Sequence, residues 1–143
     1  MREILFRGKT KDGRWVYGSY VECNNSWREG HPHKAWILAD AISNGGWFAV
    51  LNRYPVVNDT VGQYTGLVDE YGTKIFEGDI VLTKYGRECK VEYRTVEGFC
   101  GFDLTPIETR NDPPDVYDLW RETNLTIVGN IHDNRYMYDD KEV

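Results

Sequence analysis

Thiols, imidazoles and paired carboxylates are the side chains here with chemistry to offer, and their spacing assembles no familiar reaction centre. The best metal-ligand set is His31-Pro32-His33 with Cys23 eight residues before His31. Two histidines at i and i+2 on extended chain point to opposite faces unless the chain bends, so Pro32 would have to supply a bend. A fourth ligand would come from Glu29, Asp40 or the distant His132. No Cys-x-x-Cys or His-Glu-x-x-His motif is present, and the spacing is unlike common zinc sites. A polar surface loop is the simpler reading of His31, His33 and Cys23, and no bound metal is expected.

Nucleophilic and acid–base readings fare no better. Cys23, Cys89 and Cys100 have no local partner of the kind that activates a thiolate. Cys100, between Phe99 and Gly101 in an aromatic stretch, reads as a small buried residue. No serine stands in a nucleophile-elbow context. Glu77 and Asp79 form an acid–base pair on paper, but carboxylates beside a glycine turn ordinarily serve backbone amides. Gly62, Gly66, Gly72 and Gly78 are followed by no Gly-Lys-Ser/Thr and open no long helix, so they read as turns rather than a phosphate cradle. No catalytic, cofactor or metal residue is therefore assigned, and a non-enzymatic protein is expected.

The elements that would position any site are short strands. The sequence has 10 Tyr, 5 Trp and 14 Gly in 143 residues; aromatic residues suit pleated, half-buried surfaces, and glycine supplies turns between them. "EILFRG", "RWVYGSYVEC", "KAWILA" and "WFAVL" read as four strands. In the second, Trp15, Tyr17 and Ser19 share one face, and Asp12-Gly13 marks its turn from the first. "NRYPVVNDT" breaks the pattern at Pro55 and Asn58-Asp59. Beyond it "VGQYTGL", "GTKIF", "IVLTKY", "ECKVEYRTV", "FCGFDL" and "NLTIVGNIHDN" continue the strand rhythm, which suits a small barrel or sandwich. Within "RNDPPDVYDLWRET" one short helix is expected. Leu67, Ile75, Phe76, Ile80 and Val81 are the expected core of the later part.

Charge and composition narrow the partners. A formal net charge of −6 and a pI near 5.1 oppose general nucleic-acid binding, which rests on Lys and Arg neutralising phosphates, so no complex with duplex DNA is expected. Three widely spaced cysteines make no disulfide scaffold, and no apolar run approaches a membrane span, so a reducing cytoplasm and no membrane partner are expected. The aromatic set is the most informative positive feature. Trp15, Tyr17, Trp27, Trp36, Trp47, Phe48, Tyr64 and Trp120 exceed what two small β cores readily hide, and Trp and Tyr favour interfaces.

Three blocks, "REILFRGKTKDGRWVYGSY", "TVGQYTGLVDEYGTKIFEGDIV" and "IVGNIHDN", resemble the YopX family in sequence and in order. The resemblance implies an all-β fold with an SH3-type barrel in the later part, which joins the N-terminal β-hairpin module expected from the first two strands. It also implies a phage- or prophage-encoded protein of a bacterial cytoplasm, with no established activity and no ligand residues to carry over. The expected organisation is one domain over residues 1–143, with sub-modules at 1–58 and 59–138. Gly78 and Asp79 are expected to form a structural turn, and Trp36 and Trp47 an interaction surface. The leading functional expectation is a non-enzymatic module acting on a host or phage protein, working as a homo-oligomer. The alternative is an accessory protein binding single-stranded nucleic acid through a β-barrel face, for which Arg2, Arg7, Lys9, Lys11 and Arg14 are the supporting basic groups.

Overall fold

The computed structural model describes residues 2–22, 35–44, 48–107 and 124–133. The chain divides into two compact units, Met1–Tyr64 and Thr65–Val143. Apart from a 3₁₀ turn at Asn58–Thr60, the regular structure of the described residues is strand, and the protein is all-β. The helix expected within the segment 110–123 falls outside the described residues, as do Cys23, Trp27, His31, His33, Trp47 and Trp120.

In the first unit β1 (Phe6–Lys9) and β2 (Trp15–Glu22) form the expected hairpin. β3 (Ala35–Asn44) pairs with β2, and β4 (Phe48–Val56) pairs with β3, all antiparallel. Gly62 and Gln63, at the head of β5 (Gly62–Val68), pair with the other side of β1. Alternation then divides the side chains between two faces. On one face Ala35, Ile37 and Val56 form a buried cluster, with Phe6, Val16, Tyr20 and Val61 packed against it. The Phe6 and Tyr20 rings meet at 5.5 Å between centroids. Full burial of Ile37 and Val56 contributes roughly 1.5–3 kcal/mol each. Gly18 is fixed by close approach, because a Cβ there would lie 1.9 Å from the Leu38 carbonyl oxygen.

One strand boundary differs from expectation. Pro55 does not end β4; it stands opposite Trp36 inside the ladder, and the chain turns only at Asn58. β4 is the outermost strand of the described order β4-β3-β2-β1, and an outermost strand tolerates the missing proline N–H.

Three hairpin turns, at residues 10–14, 69–73 and 83–87, follow a single pattern visible as "TKDGR", "DEYGT" and "TKYGR". In each, the first N–H donates to the fifth carbonyl and the glycine N–H donates to the first carbonyl, at 2.8–3.0 Å. The fifth N–H then donates to the first side chain: Arg14 to Thr10 Oγ1, Thr73 to Asp69 Oδ1 and Arg87 to Thr83 Oγ1. The fourth residue sits at φ 79–88°, which is why it is glycine each time. Thr10, Asp69 and Thr83 are buried although polar, since each satisfies its own turn.

In the second unit the latter part of β5 runs beside β6 (Lys74–Phe76), where Thr65 Oγ1 donates to the Ile75 carbonyl at 2.8 Å. β7 (Asp79–Leu82), β8 (Glu88–Val96), β9 (Phe99–Pro106) and β10 (Thr126–Asn130) form a sheet of order β10-β7-β8-β9. Ile75, Val81, Cys89, Val91, Leu104 and Leu125 make its core, with Phe102 and Ile127 against it. Ile75, Phe76, Ile80 and Val81 are buried as expected. Leu67 is not: it is 38% exposed, two residues on from Thr65 in the alternation of β5 and so in step with half-buried Gln63 and Thr65 rather than with buried Gly62 and Tyr64. Among the described residues no ladder joins β9 to β10, and no closed barrel is found.

Candidate functional site

The second face of the first unit carries the candidate site. Residues paired across antiparallel strands share a face, so the register Lys9↔Trp15, Arg7↔Tyr17, Ser19↔Leu38, Val21↔Trp36 and Leu38↔Arg53 defines one surface. Its registered positions combine three aromatic rings with three cations, and none is Asp or Glu. The Arg7 guanidinium lies 4.7 Å from the Trp15 ring centroid and the Lys9 ammonium 5.9 Å from it. The Arg53 guanidinium lies 5.7 Å from the Trp36 ring. These are cation–π distances, and they tie each cation to the sheet by its neighbouring ring. Arg7 is buried, Trp15, Trp36 and Lys9 are half-buried, and Tyr17 and Arg53 are exposed. The surface is thus a partly wet array of π faces and positive charge.

Trp36, named from the sequence with Trp47 as an expected interaction surface, stands half-buried on this face, and Trp47 lies outside the described residues. The N-terminal basic group does not form one patch. Arg7 and Lys9 join the aromatic face, whereas Arg14 pairs with Asp12 at 2.8 Å in the hairpin turn, beside Lys11. Arg53 is the member with no signal of its own in the sequence. Its position opposite Leu38 depends on β4 running through Pro55.

A family model described as YopX protein matches residues 5–137. The chain belongs to the YopX family. No curated protein matches it. No helix of the described residues is long and apolar enough to cross a membrane. Within this YopX-family chain, the charge is divided unevenly between the two units. Met1–Tyr64 holds eight Lys and Arg against six Asp and Glu, a net +2; Thr65–Val143 holds nine against seventeen, a net −8. The overall −6 therefore belongs to the second unit.

Gly78 and Asp79 stand at the step from β6 into β7. Gly78 has φ 90°; its N–H donates to the Val91 carbonyl and its carbonyl accepts from Ile131 N–H, both at 2.9 Å. The buried Asp79 carboxylate accepts the Phe76 N–H at 2.8 Å. Glu77, the other half of the formal acid–base pair, is held differently. Burial pushes its carboxyl above the ordinary carboxylate range, the Tyr93 N–H opposes that, and the nearby Glu92 charge adds to it.

The second unit of the YopX-family chain also corrects the reading of Cys100. It is exposed, not buried, because the face that holds Val91 and Leu104 in the core runs out into solvent towards Tyr93 and Cys100. The Tyr93 hydroxyl and the Cys100 sulfur lie 2.6 Å apart, with Thr95 Oγ1 at 3.8 Å. Hydrogen bonds from Tyr93 and Thr95 hold the thiol below its ordinary range, and the Tyr93 phenol is raised in return. On the opposite face Glu92 and Asp103 are direct cross-strand partners, a repulsive pairing offset by Lys90 on Glu92 at 2.6 Å and Arg94 near Asp103 at 3.9 Å. Thr105 Oγ1 donates to Glu92 Oε2 at 2.7 Å. Among the described residues no group of three or more His, Cys, Asp and Glu is placed to hold a metal ion.

Proposed function

We propose that this protein is a non-enzymatic interaction module, working in a bacterial cytoplasm on behalf of a phage or prophage, and that its working surface is the cation–aromatic face of the first unit. The observation that carries the reading is the register that brings Trp15, Tyr17 and Trp36 onto one sheet face with Arg7, Lys9 and Arg53. Trp, Tyr and Arg are the residues that dominate binding hot spots. Elsewhere, the polar groups with chemical potential support structure: Asp69 and Asp79 serve backbone amides, and Glu92 is engaged by Lys90 and Thr105.

The test is loss of binding by surface substitution without loss of fold. The tagged protein is cross-linked in its host background, in parallel with Tyr17→Glu and Arg53→Glu, both at exposed positions. The reading expects a defined co-purifying species that both variants lose while their thermal melts stay within a few degrees of the parent. Retention of every cross-linked species by both variants would contradict it.

A further inference from the structure

The face has a length and an order that select among partners. Side chains two apart on a strand repeat at roughly 6.6 Å. Along β2, Trp15 and Tyr17 are followed by Ser19 and Val21, and Trp36 stands across from Val21. The aromatic track from Trp15 to Trp36 is therefore about 20 Å long. The cations lie beside it in step: Lys9 opposite Trp15, Arg7 opposite Tyr17, and Arg53 beyond Leu38.

Resting on the reading of this face as the working surface, we infer that its occupant is a single-stranded nucleic acid, engaged over about three or four nucleotides. Such a strand offers flat apolar rings and a negative phosphate at every repeat, and so uses both features of the track at once. Bases stack on aromatic side chains and on guanidinium planes, and the ring-backed Arg53 presents such a plane. An acidic polypeptide matches the cations but brings no ring at each repeat. A duplex hides its base faces and leaves the aromatic residues without a role. The unit that carries the face, Met1–Tyr64, holds a net +2 within the overall −6.

The test is fluorescence anisotropy of the full chain with labelled dT15 and rU15, a duplex of equal length, and polyglutamate of equal charge. The inference expects micromolar binding of the single strands at 50 mM salt, with the duplex at least tenfold weaker. Arg7 is buried against the Trp15 ring, so Lys9 and Arg53 engage about two phosphates, which gives a log–log salt slope near −1.4. Tyr17→Ala and Arg53→Glu each weaken binding at least fivefold, and the variants' circular dichroism and melts are recorded beside it. Lys84→Glu, in a turn of the second unit, leaves binding unchanged. No single-strand binding below 100 μM overturns the inference, as does equal affinity for duplex. Binding indifferent to both face variants overturns it as well. Preferential binding of polyglutamate, lost in Tyr17→Ala, overturns the nucleic-acid assignment while leaving the face as an interaction surface. Loss of all binding to the face, together with retained cross-links in the variants above, removes both.

Discussion

Replacing Gly78 with valine tests the turn that organises the second unit. Its φ of 90° lies where an L side chain is strained, and a non-glycine residue held there costs on the order of 1–3 kcal/mol, a β-branched one at the upper end. There is little room as well. A Cβ on Gly78 would lie 3.3 Å from His132 Nε2 and 3.7 Å from Ile131 Cγ1, so the imidazole must shift by a few tenths of an ångström. The backbone cannot relax freely, since both peptide groups of Gly78 are bonded to Val91 and Ile131. The expected cost is about 2–3 kcal/mol, and at about 4 °C per kcal/mol the melting temperature falls by roughly 8–12 °C. Gly72→Val supplies the comparison, because Gly72 has φ 81° but nothing within 4 Å of its Cβ. Differential scanning fluorimetry of the three proteins is sufficient. A Gly78→Val melt within 2 °C of the parent refutes the reasoning, and a loss no larger than that of Gly72→Val refutes the steric part of it.

Four further outcomes are expected. Burial raises the Glu77 carboxyl above its ordinary value of 4.5, so the folded state binds that proton more tightly and loses stability as pH rises from 4.5 through the raised value. Glu77→Gln should therefore stabilise the protein at pH 7 and do so less at pH 4, read by urea denaturation; a constant difference between the two would show that the titration is not the cause. In a Cys23→Ser background, iodoacetamide should alkylate the exposed Cys100 quickly and the buried Cys89 only on unfolding, with Tyr93→Phe slowing the Cys100 reaction at neutral pH. Mass spectrometry decides this, and equal labelling of both thiols would contradict the placement. Asp79→Ala leaves the buried Phe76 N–H without its acceptor, an expected loss of about 1–3 kcal/mol in a denaturant titration, and an unchanged midpoint would contradict it. Self-association is expected, at or above twice the 16.7 kDa chain mass by light scattering after size exclusion, and Trp36→Glu should reduce it if that residue lies in the contact; a monomer at ~100 μM would contradict it.

Local rules made much of this fold legible. The alternation in "RWVYGSYVEC" places Trp15, Tyr17 and Ser19 together, as the register shows, and glycine beside Asp, Glu or Tyr marks the turns. What stayed hidden depends on pairing between distant segments. Pro55 reads as a break in isolation and becomes an ordinary member of an outermost strand only once Trp36 stands beside it. Leu67 looks like core in isolation, yet in the strand it falls in step with half-buried Gln63 and Thr65. Cys100 reads as buried among aromatic neighbours, yet it lies where the apolar face of β8 and β9 leaves the core. The candidate face shows the same division. Its aromatic members could be named from the sequence, but Arg53 joins them only through the β3–β4 register, and the contrast of +2 with −8 appears only when the chain is divided at Tyr64.

The claim that the outer face of the first unit is the working surface is tested most directly by amide and indole NMR shifts of the full-length chain. The titration uses dT15, with polyglutamate as a second arm. The account predicts that shifts on adding dT15 concentrate at Arg7, Lys9, Trp15, Tyr17, Trp36 and Arg53, and that the hairpins carrying Tyr71 and Tyr85 stay still. Shifts centred on those second-unit hairpins, or none in either titration at millimolar ligand, would contradict it.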